Sequence, residues 1–124
     1  MQPQSIATPT PPSAMTAAVS MARFLARHPQ FAASPQLHWQ PMADGELRVD
    51  MTPLDPAGVP LMTDLALALG LNLSVYSYTS SRSGPVVSLR IDGVYDGAHW
   101  MTHVTVSVEA YAEFVASQSM VVAA

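Results

Sequence analysis

Residues 85–108 constrain the fold more than any other stretch, because their alternation of apolar and polar residues stays in phase on both sides of an Asp-Gly pair. A two-residue loop at Asp96-Gly97 sets Tyr95 opposite Ala98, Gly93 opposite Trp100, Ile91 opposite Thr102, Leu89 opposite Val104 and Val87 opposite Val106. The large apolar residues then share one face. Asp-Gly tolerates the positive φ angles of a type I′ turn, whose twist suits a two-residue hairpin. A turn at the nearer Asp92-Gly93 would set Leu89 against Asp96 and is rejected. In the preferred register Gly93 falls mid-strand, where Trp100 is expected to cover it from the neighbouring strand.

A second hairpin follows from the same reasoning. Leu37, Trp39, Leu47, Val49 and Met51 alternate with polar residues. A three-residue loop, Ala43-Asp44-Gly45 with Gly45 left-handed, sets Pro41 opposite Leu47, Trp39 opposite Val49 and Leu37 opposite Met51. A two-residue loop at Asp44-Gly45 would put Trp39 against Asp50. Leu71, Leu73 and Val75 alternate with Asn72, Ser74, Tyr76 and Tyr78 to give a further strand, and a Ser-rich link over 79–84 leads into the long hairpin.

Three segments carry helical spacing instead. Ser13 is a candidate N-cap for residues 14–28, with Ala14, Ala18, Met21, Phe24, Leu25 and His28 on one arc and Thr16, Ser20, Arg23 and Arg27 on the other. Pro29 is expected to end this helix, since proline disfavours helical geometry in the residue before it. A second helix over about 59–69 buries Leu61, Met62, Leu65, Ala68 and Leu69, with Gly70 as its C′ residue. Tyr111, Phe114, Val115 and Gln118 indicate a short helix over 109–117. The order α-β-β-α-β-β-β-α predicts an α+β fold: a five-stranded, mainly antiparallel sheet with helices on its single apolar face.

Residues 13–118 form one domain, a length sufficient for a single core. Residues 1–12, with Pro3, Pro9, Pro11 and Pro12 among Gln, Ser and Thr, bury too little apolar area to offset chain entropy and are expected to be disordered. They lack the basic and apolar regions of a signal peptide. Residues 119–124 read as a frayed tail. Their Met-Val-Val-Ala-Ala ending resembles the short apolar tails that bacterial unfoldase–protease systems recognise.

Composition narrows the function classes. A net charge of −4, with five arginines and no lysine, argues against phosphate-driven nucleic-acid binding. The absence of lysine beside abundant Ala, Pro and Val points to a GC-rich, bacterial coding sequence. No cysteine is present, which excludes thiolate metal sites, disulfides and cysteine nucleophiles. The longest apolar run, over 59–71, is interrupted by Thr63, Asp64 and Gly70 and falls short of the roughly 20 residues a membrane span needs. A cytoplasmic protein without membrane contact is expected. Charged residues make up only 11% of a chain that is 49% hydrophobic, and so sparse a charged coat favours association with a partner.

No phosphate loop, nucleophile elbow or cofactor motif occurs, so no cofactor is expected. His99 and His103 have the spacing of a zinc-protease pair, but in a strand they stand about 13 Å apart and cannot share one ion. No metal site is assigned. Asp92 and Asp96 fail as a carboxylate dyad by the same spacing. The registers do gather one constellation on the face opposite the core: Arg90 across from His103, Asp92 from Met101, His38 from Asp50 and Gln40 from Arg48, with Tyr76 and Tyr78 alongside. Tyrosine, arginine, histidine and methionine are residue types enriched where proteins meet partners. Tyr76, Tyr78, Arg90, His103, His38, Arg48 and Met101 are therefore the candidate interaction surface of a small non-enzymatic adaptor or homo-oligomer. The competing reading is a ligand-binding or enzymatic site on the same face, assembled from His38, Asp50, Arg90 and His103. The bland alternative is a solvated face with favourable cross-strand pairs.

Overall fold

The computed structural model describes residues 12–123, with side-chain environments through residue 118. The Pro-rich stretch over 1–12 lies, apart from Pro12, outside the described residues, as do the side chains of 119–124.

Four helices and five strands make up the described chain in the order α1 (Ala14–Arg27), α2 (Pro29–Ala32), β1 (His38–Pro41), β2 (Glu46–Asp50), α3 (Gly58–Leu69), β3 (Leu73–Ser80), β4 (Gly84–Tyr95), β5 (Ala98–Ser107) and α4 (Val108–Ala123). The fold is α+β, with one sheet ordered β1-β2-β5-β4-β3. Both hairpins adopt the expected registers: Leu89 faces Val104, Gly93 faces Trp100 and Tyr95 faces Ala98, while Trp39 faces Val49 and Pro41 faces Leu47. Leu37 and Met51 lie just beyond the first ladder, both buried. Asp96 and Gly97 have φ values of 47° and 79°, as a type I′ turn requires. Gly45 has φ 90°, and a Cβ added there would lie 2.4 Å from Pro12 Cβ.

The sheet is not wholly antiparallel. β2 and β5 run parallel, with Val49 beside Thr102, so α3 crosses from β2 to the far-edge strand β3 and the long hairpin returns to fill the gap. The helices pack on one face, against Leu47, Val49, Val87, Leu89, Ile91, Trp100, Val104 and Val106. The opposite face carries the alternate residues of every strand.

Several local features differ from expectation. Pro29 does stop α1, but it also occupies the first turn of the one-turn helix α2, where its missing N–H costs nothing. The buried residues of α1 are Ala17, Ser20 and Phe24, while Ala14 is exposed, so the buried stripe is rotated from the predicted arc. Ser20 is drawn inward because the Trp100 indole Nε1–H donates to its Oγ at 3.0 Å, and the Ser20 hydroxyl donates onward to the Tyr95 carbonyl at 2.9 Å. The atoms nearest to a Cβ added at Gly93 belong to Leu71, at 3.0 Å, so a side chain from the end of α3 also closes over this position. Leu71 is held at this point by the end of α3, where Gly70 turns left-handed at φ 67° and the Leu71 N–H bonds the Ala66 carbonyl at 3.1 Å. β3 therefore starts at Leu73 and extends to Ser80, and α4 is longer than the 109–117 segment expected.

Trp100 is fully buried, with ring centroids of Phe24, Tyr95 and Trp39 at 5.0, 5.5 and 5.9 Å. Trp100→Ala is expected to destabilise the fold by about 3–5 kcal/mol in chemical denaturation, through lost packing and the lost indole hydrogen bond to Ser20. An unchanged midpoint would contradict this. Gly45→Ala should cost roughly 1–2 kcal/mol, from the left-handed strain and the displaced Pro12 together. The same assay reads it, and a neutral result would show that the first hairpin does not depend on this turn geometry.

Candidate functional site

The helix-free face is built by the strands' outward residues. β2 supplies Glu46, Arg48 and Asp50; β5 supplies His99, Met101 and His103; β4 supplies Ser88, Arg90 and Asp92; β3 supplies Tyr76 and Tyr78. Ion pairs link the first three strands. Arg48 Nε donates to Glu46 at 2.9 Å, Glu46 stands 3.8 Å from His99 Nδ1, His99 Nε2 contacts Asp92, and Arg90 Nη2 donates to Asp92 at 2.9 Å. The Asp92 carboxyl is held below the usual range by its hydrogen bonds to His99 and then Arg90, which outweigh the raising effect of burial. Such exposed pairs are each worth about 0–1 kcal/mol, so the network sets geometry more than it stabilises.

Arg48, Asp50, Arg90, Met101, Thr102 and His103 converge on a shallow depression of about 330 Å³. Four of the candidate surface residues, Arg48, Arg90, Met101 and His103, thus come together. Each arginine gives one nitrogen to a carboxylate, and the rest of its fork makes no further hydrogen bond among the described residues. His38 does not line this depression. It stands across from Asp50 on the edge strand β1, while the Asp50 carboxylate takes its hydrogen bond from Gln40 Nε2 at 2.7 Å. Gln40 and Arg48 face each other in register, but their side chains turn to different carboxylates.

Tyr76 and Tyr78 lie on the other side of β4. Their rings stack with centroids 6.0 Å apart and planes 29° apart, and they are 49% and 45% exposed. In the ladder they are the partners of Ser88 and Val86, two residues that are fully buried although no helix covers this face. Ser88 Oγ is hydrogen-bonded to His103 Nε2. A serine beside a histidine invites a nucleophilic reading, but Ser88 has no exposed surface, so no substrate reaches its Oγ. The pair is structural. It holds the His103 ring, whose pKa is lowered by desolvation and then by the Arg90 guanidinium.

Ser88, Glu46 and the His99–Asp92 contact were not selected from the sequence as parts of a site. The signal was present for one of them: His99 pairs with Val94, which makes Asp92 its diagonal neighbour on the same face. A larger groove of about 490 Å³ lies in the helical layer, lined by Gln30, Phe31, Ser34, Leu61, Asp64 and Leu67, and holds none of the candidate residues. Among the described residues no three His, Asp or Glu side chains converge as metal ligands, and no helix is long and apolar enough to cross a membrane. No protein-family model matches the chain, and no curated protein matches its sequence.

Both titrating groups make acid destabilising. His103 has a folded pKa below the unfolded value of about 6.5, so on acidification the unfolded chain takes the proton first. Stability then falls from about pH 6.5 down to the folded pKa. Asp92 contributes stability above its unfolded value of about 3.9, lost as pH falls through its lowered folded pKa. His103→Gln, which keeps a partner for Ser88, is expected to flatten the first decline in denaturation series run from pH 7 to 5, and Asp92→Asn the second at lower pH. An undiminished slope in His103→Gln would show that this imidazole is not the group responsible.

Proposed function

We propose that the protein is a non-enzymatic interaction protein, an adaptor or self-associating unit, that receives a polypeptide partner on the helix-free face of its sheet. The observation that carries this reading is the stacked, half-exposed Tyr76–Tyr78 pair, standing on the same face as the depression formed by Arg48, Arg90, Met101 and His103. Aromatic and arginine side chains supply most hot-spot energy, and a rigid stacked pair loses little conformational freedom when a partner covers it. The inaccessible Ser88 and the even division of carboxylates among the arginines favour binding over catalysis. The net charge of −4 favours a protein partner over nucleic acid.

The depression favours a second reading, a small anionic ligand held between Arg48 and Arg90 with His103 beside it. The two readings separate by variant. Tyr76→Ser/Tyr78→Ser is expected to weaken association by about 2 kcal/mol or more, roughly thirtyfold, while leaving the monomer folded because the core face is untouched. A small-ligand site would respond instead to His103→Ala or Asp50→Asn, with association unaltered. Analytical ultracentrifugation and calorimetry read both. Unchanged association in the double tyrosine variant would overturn the interaction reading.

A further inference from the structure

The two edges of the sheet are built differently. β1 is short, four residues ending in Pro41, whose missing N–H blunts pairing with another strand. β3 is twice as long, eight residues with no charge and no proline. Residues 74–79 are all exposed, and the helical layer stops short of the strand: Val75 lies on the helix side, opposite the fully buried Leu89, yet is 42% exposed. Among the described residues nothing pairs with or covers this edge, which presents free N–H and C=O groups with none of the usual protections against a further strand.

Its sequence specifies which strand. Read outward from Ser77, the segment Ser74-Val75-Tyr76-Ser77-Tyr78-Thr79-Ser80 is a palindrome in shape: tyrosine on both sides, then the isosteric pair Val75 and Thr79, then serine at both ends. An isologous contact requires that residue i meet residue j and residue j meet residue i. Antiparallel self-pairing about Ser77 meets that requirement along its whole length.

We infer that the β3 edge is a seam between two copies of this chain, paired antiparallel about a two-fold axis through Ser77 to give one continuous ten-stranded sheet. Tyr76 of each copy then faces Tyr78 of the other, extending the existing stack to four rings. Val75 faces Thr79, and Ser77 faces itself. Although each chain carries a net charge of −4, the seam contains no charged residue, so like charges are not opposed across it. The axis stands perpendicular to the sheet, which leaves both helix-free faces on the same side as one surface, four tyrosines at its centre and an arginine-lined depression on either flank. That use of the surface rests on the function proposed above; the seam itself rests on the strand.

Because the chain has no cysteine, a single introduced thiol reports the register in the full-length protein. Paired residues across an antiparallel ladder have Cα atoms about 4.5–5.5 Å apart, within disulfide range. Ser77→Cys is expected to give a covalent dimer rapidly with diamide as oxidant, two thiols losing their hydrogens to the reagent. Thr79→Cys, equally exposed but facing Val75, should cross-link at least about tenfold more slowly, its own copy lying four residues along the partner strand. Ser77→Lys and Ser77→Glu should each sediment as folded monomers, and a one-to-one mixture should regain twice the chain mass. A monomeric parent protein, equal cross-linking at 77 and 79, or charge variants that stay dimeric alone would overturn the seam. If association persists without these signatures but is lost in Tyr76→Ser/Tyr78→Ser, the face mediates contact and the edge does not.

Discussion

The indole of Trp100 is the point on which the two halves of this molecule are joined. It sits fully buried on the central strand β5, under α1, and its N–H would be an unsatisfied donor in an aromatic environment without the Ser20 hydroxyl. Ser20 passes the hydrogen bond to the Tyr95 carbonyl, so one small polar side chain ties α1 to both strands of the long hairpin. Burying a donor is costly when it is unpaired and nearly neutral when it is paired. A buried serine in an amphipathic helix is thus the complement of the tryptophan. Phe24 closes the cluster from the same helix, touching Tyr95 edge-on at 5.7 Å and Phe31 at 5.4 Å.

Placing every packed helix on one face leaves the other to polar side chains, and the arrangement there follows from strand spacing. Arg48 reaches Glu46 and Arg90 reaches Asp92 two residues along the same strand, and His99 bridges both carboxylates from the strand between, but exposed pairs contribute little stability. Their effect is to fix where the guanidinium groups stand. Ser88 does the same for His103 from below. The face is therefore preorganised without being a large source of folding energy, and substitutions there can change recognition while the core remains intact.

How much of this was legible in the sequence varies with the range of the interaction. Both hairpin registers were readable because alternation and turn chemistry are local, and a one-residue slip would have sent Leu89 or Val49 to solvent. The parallel pairing of β2 with β5 has no local signature, since it joins residues more than fifty positions apart across a helical crossover. The buried stripe of α1 is not readable from polarity, because Ala17 and Ser20 are buried for what they fit beneath, and neither is apolar enough to mark the face. The strand partner of Gly93 follows from alternation, whereas the contact with Leu71 has no local signal, because Leu71 arrives from the end of α3. Of the candidate surface, Arg48, Arg90, Met101 and His103 converge, the tyrosines stack beside them, and His38 stands apart at the edge.

The sheet order has a consequence for the order of assembly. β5 lies between β2 and β4, and the Trp100–Ser20 contact spans 80 residues of chain, so the strand that unites the sheet is the last of the five to be synthesised. Until then α1 and the first hairpin have only each other to pack against, and α3 lacks the strands it covers. Contacts of such long separation are entropically late and slow the closing step. Through that interval Leu47, Val49 and Phe24 lack the cover of Trp100, which makes this unfinished segment, more than the finished sheet, the species that a cell has to keep from aggregating.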